Sequence, residues 1–304
     1  MEEILRLFPE AKRQKLQYVL RKRWINLQEI RIRLGQTMEL IFNDKVERLD
    51  IRTTKQDCVF MINQLSEFSL YRMEDELREG FITIEGGHRV GLAGKVNTLK
   101  GTVKAIQYIT FLNIRIAKAH EGVASTIMPY IYNDTYLNTI FIGPPQTGKT
   151  TLIRDVTRMI SNGWGHVAPH KVGIVDERSE IAGSIKGIPQ HNIGMRTDVM
   201  DACPKAEGMM MFIRSMSPEI IVVDEIGSQA DVAALLEAIH AGVTVICTVH
   251  GASLDELQNR PSLQPVFKQR IFQRAIILER HAQPGYIKQI FNHKQENILK
   301  KSRC

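Results

Sequence analysis

The sequence predicts an α/β protein: a larger C-terminal domain built on a parallel sheet, preceded by a small α+β domain. Three observations carry this prediction. Beyond about residue 122, short continuous runs rich in Val and Ile (137–142, 172–175, 220–223 and 243–247) alternate with helical stretches, as expected of strands that crossover helices bury on both faces. Before residue 118, apolar and polar residues alternate one by one, most cleanly in Glu29-Ile-Arg-Ile-Arg-Leu34, the pattern of a sheet with one buried face. At 143–150 the first apolar run breaks into a glycine-bounded loop, Gly-Pro-Pro-Gln-Thr-Gly-Lys-Thr, and a helical stretch follows. The expected domains are 1–118 and 119–304, with the boundary near Lys118 to Gly122.

In chain order, residues 4–24 read as two short helices split at Pro9, with Leu16, Val19 and Leu20 at helical spacing. Glu29–Leu34 and Met38–Phe42 form a hairpin across Gly35-Gln36, and residues 56–71 are helical. Phe81–Ile84 and His88–Leu92 make a second hairpin; Gly86, Gly87, Gly91 and Gly94 read as tight turns, because no helix follows to complete a dinucleotide fingerprint. In the second domain a helix over Val123–Tyr132 precedes the loop strand, and a helix over Thr150–Ile160 follows the loop. Strands at 172–176 and 220–223, a helix over Asp231–His240 and a strand at 243–247 complete the pattern. The 172–176 strand is expected to lie between the loop strand and the 220–223 strand.

Hydrophobic content of 43% and charged content of 24% belong to a soluble globular protein. No run reaches the roughly 18–20 apolar residues that cross a bilayer, and Glu2, Glu3 and Pro9 fit no secretion signal, so the expected location is the cytoplasm. Four scattered cysteines (Cys58, Cys203, Cys247, Cys304) give neither a disulfide framework nor zinc-ligand spacing. The net charge of +7, with basic clusters at residues 12–23 and 268–303, suits nucleic acid, anionic lipid or an acidic partner. With no aromatic-and-basic stacking motif in view, nucleic acid is the rival partner, not the first.

The loop carries the chemistry. Gly143, Pro144, Pro145, Gln146, Thr147, Gly148, Lys149, Thr150 and Thr151 contain the P-loop pattern between a strand and a helix, which binds a nucleoside triphosphate, here ATP. The glycines let successive N–H groups curl toward phosphate oxygens, Lys149 reaches the β- and γ-phosphates, and Thr150 joins Mg²⁺. The Ile220-Ile-Val-Val-Asp-Glu225 run is a Walker B pattern, with Asp224 on the metal and Glu225 orienting the attacking water. Asp176-Glu-Arg-Ser-Glu180 ends another strand, and Glu177 is a second candidate for assisting that water. His250 ends the 243–247 strand where a sensor of the γ-phosphate would sit, with Thr248 a weaker candidate. The cation that neutralises the transferring group is Arg178, Arg196 or Arg214, or one from a neighbouring protomer. One decoy, Thr54-Lys-Gln-Asp57, matches the base-reading pattern of GTPases but lies upstream of the loop, so Asp57 reads as a helix N-cap.

These motifs, with Val175-Asp-Glu-Arg-Ser-Glu-Ile181, Gly194-Met-Arg-Thr-Asp-Val199, Cys203-Pro-Lys-Ala-Glu-Gly208, Val222-Val-Asp-Glu-Ile-Gly227 and Gly80-Phe-Ile-Thr-Ile-Glu-Gly-Gly-His-Arg-Val-Gly91, resemble the stage III sporulation protein AA family over nearly the whole chain. That family is similar to the RecA-like ATPases of type II and type IV secretion and pilus systems. The resemblance implies that 175–180 is an "Asp box" and 248–251 a "His box". It implies a homo-oligomeric ring, a hexamer, with nucleotide between protomers. It implies a place on the mother-cell side of the membrane, where the ring powers a secretion-like complex facing the forespore. The secretion ATPases' tetracysteine module is absent, and their Walker B run lacks an Asp-Glu pair like 224–225, so the resemblance leaves the base between Glu177 and Glu225.

Overall fold

The computed structural model describes residues 1–66, 80–99, 102–118, 120–281 and 285–299. The chain separates into two compact units, Met1–Lys118 and Ala119–Cys304. The end of the expected 56–71 helix and the last basic residues, 300–303, lie outside the described residues.

In the first unit α1 (Glu2–Leu5) and α2 (Glu10–Leu20) flank Pro9. A meander of β1 (Leu27–Arg33), β2 (Thr37–Phe42) and β3 (Val46–Arg52) follows, then α3 (Lys55–Leu65), β4 (Phe81–Ile84), β5 (His88–Leu99) and β6 (Thr102–Arg115). The antiparallel order is β3-β2-β1-β6-β5-β4. Alternation decides which face is buried: Ile30, Ile32, Met38, Leu40, Val90, Leu92, Leu112 and Ile114 pack with Ile4, Leu5, Leu16, Leu20 and Met61 of the helices. Two expectations change here. Asp57 is not the N-cap of α3 but its third residue. Thr54 is the cap, and the two form a capping box in which Asp57 Oδ2 also takes Lys12. Gly91 and Gly94 lie inside β5 and not in turns, Gly94 at a bulge where the carbonyl of Tyr108 leaves no room for Cβ. Of the N-terminal basic cluster, Lys12, Arg13 and Arg23 are tied to Asp57, Glu2 and Glu47.

The second unit opens with α4 (Met128–Ile131) and a two-residue hairpin, β7 (Tyr132–Asn133) with β8 (Thr135–Tyr136). The expected helix from 123 is shorter than predicted: residues 122–130 are held mainly by i→i+3 turns, with one i→i+4 bond from Met128 to Ala124, and Pro129 lacks the N–H that a longer α-helix needs there. Next come β9 (Thr139–Ile142), α5 (Lys149–Asn162), β10 (Val172–Asp176), β11 (Thr197–Asp201), α6 (Lys205–Ser215), β12 (Ile220–Val223), α7 (Gln229–His240), β13 (Thr244–Val249), α8 (Leu254–Gln258), α9 (Gln264–Lys268) and the antiparallel pair β14 (Arg274–Leu278) and β15 (Ile287–Asn292). The order is β11-β10-β12-β13-β9-β14-β15, with β11 through β14 parallel. The strand between β9 and β12 is therefore β13, and β10 lies on the far side of β12, contrary to expectation. Strand–helix alternation fixes direction but leaves neighbour order open, because one crossover can skip several strands.

Each parallel strand faces two cores. Ile140, Ile142, Val223 and Val249 pack with Met209, Phe212 and Leu235, while Phe141, Ile174, Val222 and Ile246 pack with Leu152, Val156 and Ile160 of α5. This is why the strands read as unbroken apolar runs. Helix α6 sits unusually close to β10: a Cβ on Gly208 would stand 2.4 Å from Val175 Cγ1. Gly208→Ala gains helix propensity yet overpacks this contact, and is expected to lower the unfolding free energy by about 1–2 kcal/mol in chemical denaturation. An increase would contradict the packing.

Candidate active site

The loop after β9 is shaped by its own residues. A Cβ on Gly143 would meet Thr147 Oγ1 at 2.6 Å and Leu278 Cβ at 3.2 Å, so only glycine lets the chain turn there. Thr147 Oγ1 donates to the Pro144 carbonyl (2.8 Å), and Gln146 and Gly148 take positive φ (65° and 86°). Gly148 then starts α5 as its N-cap, so Lys149, Thr150 and Thr151 form the positive end of a helix. Lys149 is buried; its Nζ donates to the carbonyls of Gly143 (2.8 Å) and Pro144 (3.0 Å). Burial pushes its pKa down, and the nearby carboxylates of Asp224, Glu225 and Glu180 pull it back up.

Strand β12 delivers Asp224 to the same edge, where both its oxygens meet hydroxyls. Thr150 Oγ1 donates to Oδ2 (2.9 Å) and Thr248 Oγ1 to Oδ1. Burial raises the Asp224 pKa; the two hydroxyls oppose this, and the charges of Glu225 and Glu180 add to it. Thr248, fully buried in β13, also accepts the Glu225 N–H (2.8 Å), and its carbonyl takes the Ile226 N–H (2.9 Å). Glu225 itself is left-handed (φ 52°), a costly backbone for a residue with a Cβ. Its carboxylate lies between His250 Nε2 (2.5 Å) and Arg178 Nη1 (3.0 Å). Lys149 Nζ stands 3.0 Å from His250 Nδ1. An ammonium only donates, so Nδ1 accepts and Nε2 carries the proton shared with Glu225. Lys149, His250, Glu225 and Arg178 thus form one continuous chain of polar contacts.

Of the sequence-predicted residues, Gly143, Thr147, Gly148, Lys149, Thr150, Asp224, Glu225, His250 and Arg178 come together at the carboxyl edge of the sheet. Pro144, Pro145 and Gln146 form the exposed crest of the loop. Glu177 is held elsewhere, in an ion pair with Lys205 at the start of α6. Arg196 is not brought to this edge: it precedes β11 at the amino end of the sheet, where its carbonyl accepts from Val172 and its side chain from Nη1 reaches the Pro169 carbonyl (2.6 Å). Arg214 is likewise remote, because α6 runs back along β10, placing Gly208 at Val175 and Phe212 at Gly173.

Sequence reasoning missed two supports. Asp176 accepts the N–H groups of Glu180 and Ala182 (both 2.8 Å), and Arg154 clamps the carbonyls of Glu180 and Ile181 (both 2.6 Å). Together they fold 176–182 into a fixed loop beside the site. Thr248 was legible only as a weak sensor; the signal for its larger role was a hydroxyl inside an otherwise apolar strand, which must find partners when buried.

The fold is that of RecA-like secretion and pilus ATPases. The ATPase DotB of Yersinia pseudotuberculosis superposes with a TM-score of 0.62 (14% identity, 94% of this chain and 81% of that one). DotB of Legionella pneumophila gives 0.58 (17%, 88% and 75%), and the pilus retraction motor PilT with bound ADP gives 0.59 (15%, 86% and 77%). The particular family follows from sequence: the profile described as "Sporulation stage III, protein AA" matches residues 1–298. Stage III sporulation protein AA of Bacillus subtilis (strain 168) is 49% identical over 302 residues, covering 99% of this chain and 98% of that protein. The chain belongs to the stage III sporulation protein AA family. An uncharacterized ycf45 protein of Porphyra purpurea is 27% identical over 94% of this chain and 49% of its own length.

Asp176→Asn replaces one acceptor oxygen by an amide facing a backbone N–H. It is expected to lose about 1–3 kcal/mol of stability in denaturant titration; an unchanged midpoint would deny Asp176 its loop-holding role.

Proposed function

We propose that this chain is a Mg²⁺-dependent ATPase whose RecA-like domain hydrolyses ATP to drive a membrane-associated, secretion-like complex between mother cell and forespore. Family membership and the secretion-ATPase fold support the setting. The observation that carries the chemistry is the 2.9 Å contact between Thr150 and Asp224, residues 74 apart in sequence that bring the two nucleotide motifs together. The donor set fits magnesium: hard oxygens only, one carboxylate and one hydroxyl, leaving other positions to phosphate and water. Asp224 is already partnered on both oxygens and its pKa is raised, so a cation at this position would favour its ionised form. When bound, the metal supplies charge neutralisation on the phosphate oxygens.

The protein's own groups supply the rest. Lys149 exchanges the loop carbonyls for phosphate oxygens, the loop and the start of α5 hold the anion, and Glu225 takes the proton of the attacking water. The water oxygen bonds to the γ-phosphorus as the bond to the β-phosphate oxygen breaks, giving ADP and inorganic phosphate. His250 links the two halves of this step, because it touches both the phosphate-binding ammonium and the base. Glu225 is preferred to Glu177 as the base because it stands in that chain, whereas Glu177 is paired with Lys205. Arg178 shares the Glu225 carboxylate in this protomer. Any role for Arg196 is reserved to a neighbouring protomer of a homo-oligomeric ring, proposed to be a hexamer, whose place is on the cytoplasmic face of the mother-cell membrane.

Lys149→Ala is expected to abolish ATP binding in calorimetry. Glu225→Gln is expected to keep binding and to lower steady-state phosphate release by at least about a hundredfold. Wild-type turnover in the glutamine variant would remove Glu225 from the role of base. Chelation of divalent ions with EDTA is expected to stop phosphate release and Mg²⁺ to restore it. Hydrolysis that persists under chelation would remove the metal from the proposal.

A further inference from the structure

The hairpin between β14 and β15 stands on the other flank of the phosphate loop from Asp224. In the order β12-β13-β9-β14-β15, Asp224 follows a strand two places to one side of β9, and β14 adjoins β9 on the opposite side. Past Leu278 the chain turns at the carboxyl edge. Glu279 N–H donates to the Tyr286 carbonyl (3.1 Å), and Gly285 N–H donates to the carbonyl of Thr147 (2.9 Å), within the phosphate loop itself. The loop and the hairpin are thus held together by a backbone hydrogen bond. The residue after Gly285, Tyr286, lies face to face with His281: ring centroids are 4.5 Å apart and the planes 19° from parallel. Other aromatic pairs of this unit, such as Tyr132–Tyr136 and Tyr132–Trp164, meet edge-on (68° and 87°). Tyr286 also remains 47% exposed, a large apolar surface left in water.

A nucleoside triphosphate whose terminal phosphates lie toward Thr150 and Asp224 must extend its nucleoside end to the opposite flank, where these rings stand. We infer that Tyr286, braced from behind by His281, is the stacking platform for the nucleobase. This rests on the nucleotide-binding proposal above and adds to it the part of the molecule that distinguishes a nucleotide from a bare polyphosphate. One face of the phenol ring is covered by the imidazole, and nearly half of the residue's surface is exposed for a base to cover. Stacking needs only a π-face, so Tyr286 contributes affinity for the base and not a choice among purines. The hydrogen bond from Gly285 to Thr147 keeps the platform in register with the phosphate loop.

The test is calorimetric titration of the full chain with two probes in Mg²⁺ buffer: ATP, and inorganic tripolyphosphate, which has the phosphates and no base. Tyr286→Ala is expected to weaken ATP about tenfold and to leave tripolyphosphate unchanged, with Tyr286→Phe restoring the ATP affinity. Three results overturn the assignment. One is wild-type ATP affinity in the alanine variant. Another is an equal loss for both probes, which would make the ring a support of the loop. The third is a phenylalanine variant as weak as alanine. Should the wild-type protein bind neither probe, the phosphate site itself is refuted and the platform with it. Binding of tripolyphosphate with no advantage for ATP refutes the platform alone.

Discussion

The active edge depends on one constraint: a carboxylate, Asp224, whose two oxygens are taken by hydroxyls from two different elements. Thr150 reaches it from the first turn of α5 and Thr248 from β13. The sheet order makes this possible, because β13 is inserted between the loop strand β9 and β12. With that strand in place, the phosphate loop and Asp224 are separated by the width that one hydroxyl-bearing strand fills. Removing a polar partner from such a buried group leaves a desolvated charge without compensation, so the arrangement is held as a unit.

The same inserted strand organises the residues around the carboxylate. Thr248 fixes the Glu225 backbone in a conformation that its side chain disfavours, and two positions later His250 meets both Lys149 and Glu225. Lys149 and the proposed base are therefore connected through a single imidazole. Behind this, Asp176 and Arg154 fix the loop that carries Glu177, Arg178 and Glu180, which sets where Arg178 meets Glu225.

Much of this was legible in the sequence because it is local. The loop pattern at 143–150, the apolar run ahead of Asp224, the Pro9 break and the alternation of β1 each depend on residues adjacent in the chain. What escaped was non-local. Nothing in the run at 172–176 says that it pairs on the far side of β12, and nothing near Arg196 says that it faces the amino ends of the strands. The strands β3, β6 and β11 and the closing pair β14–β15 were missed: nothing local marks them out, and their pairing comes from tertiary context. Asp57 was placed three positions too early in its motif: Thr54 and Asp57 both suit a cap, and only the hydrogen bonds distinguish them.

The central claim is that Thr150 and Asp224 act as one site for the metal-bound end of a triphosphate. A double-mutant cycle on Mg²⁺·ATP affinity, using Thr150→Val, Asp224→Asn and the double variant in calorimetry, tests it most directly. The account predicts strong non-additivity, a coupling of at least about 1 kcal/mol, because either change alone disables the shared site. Strictly additive losses would mean that the two residues contribute independently, and would contradict the account.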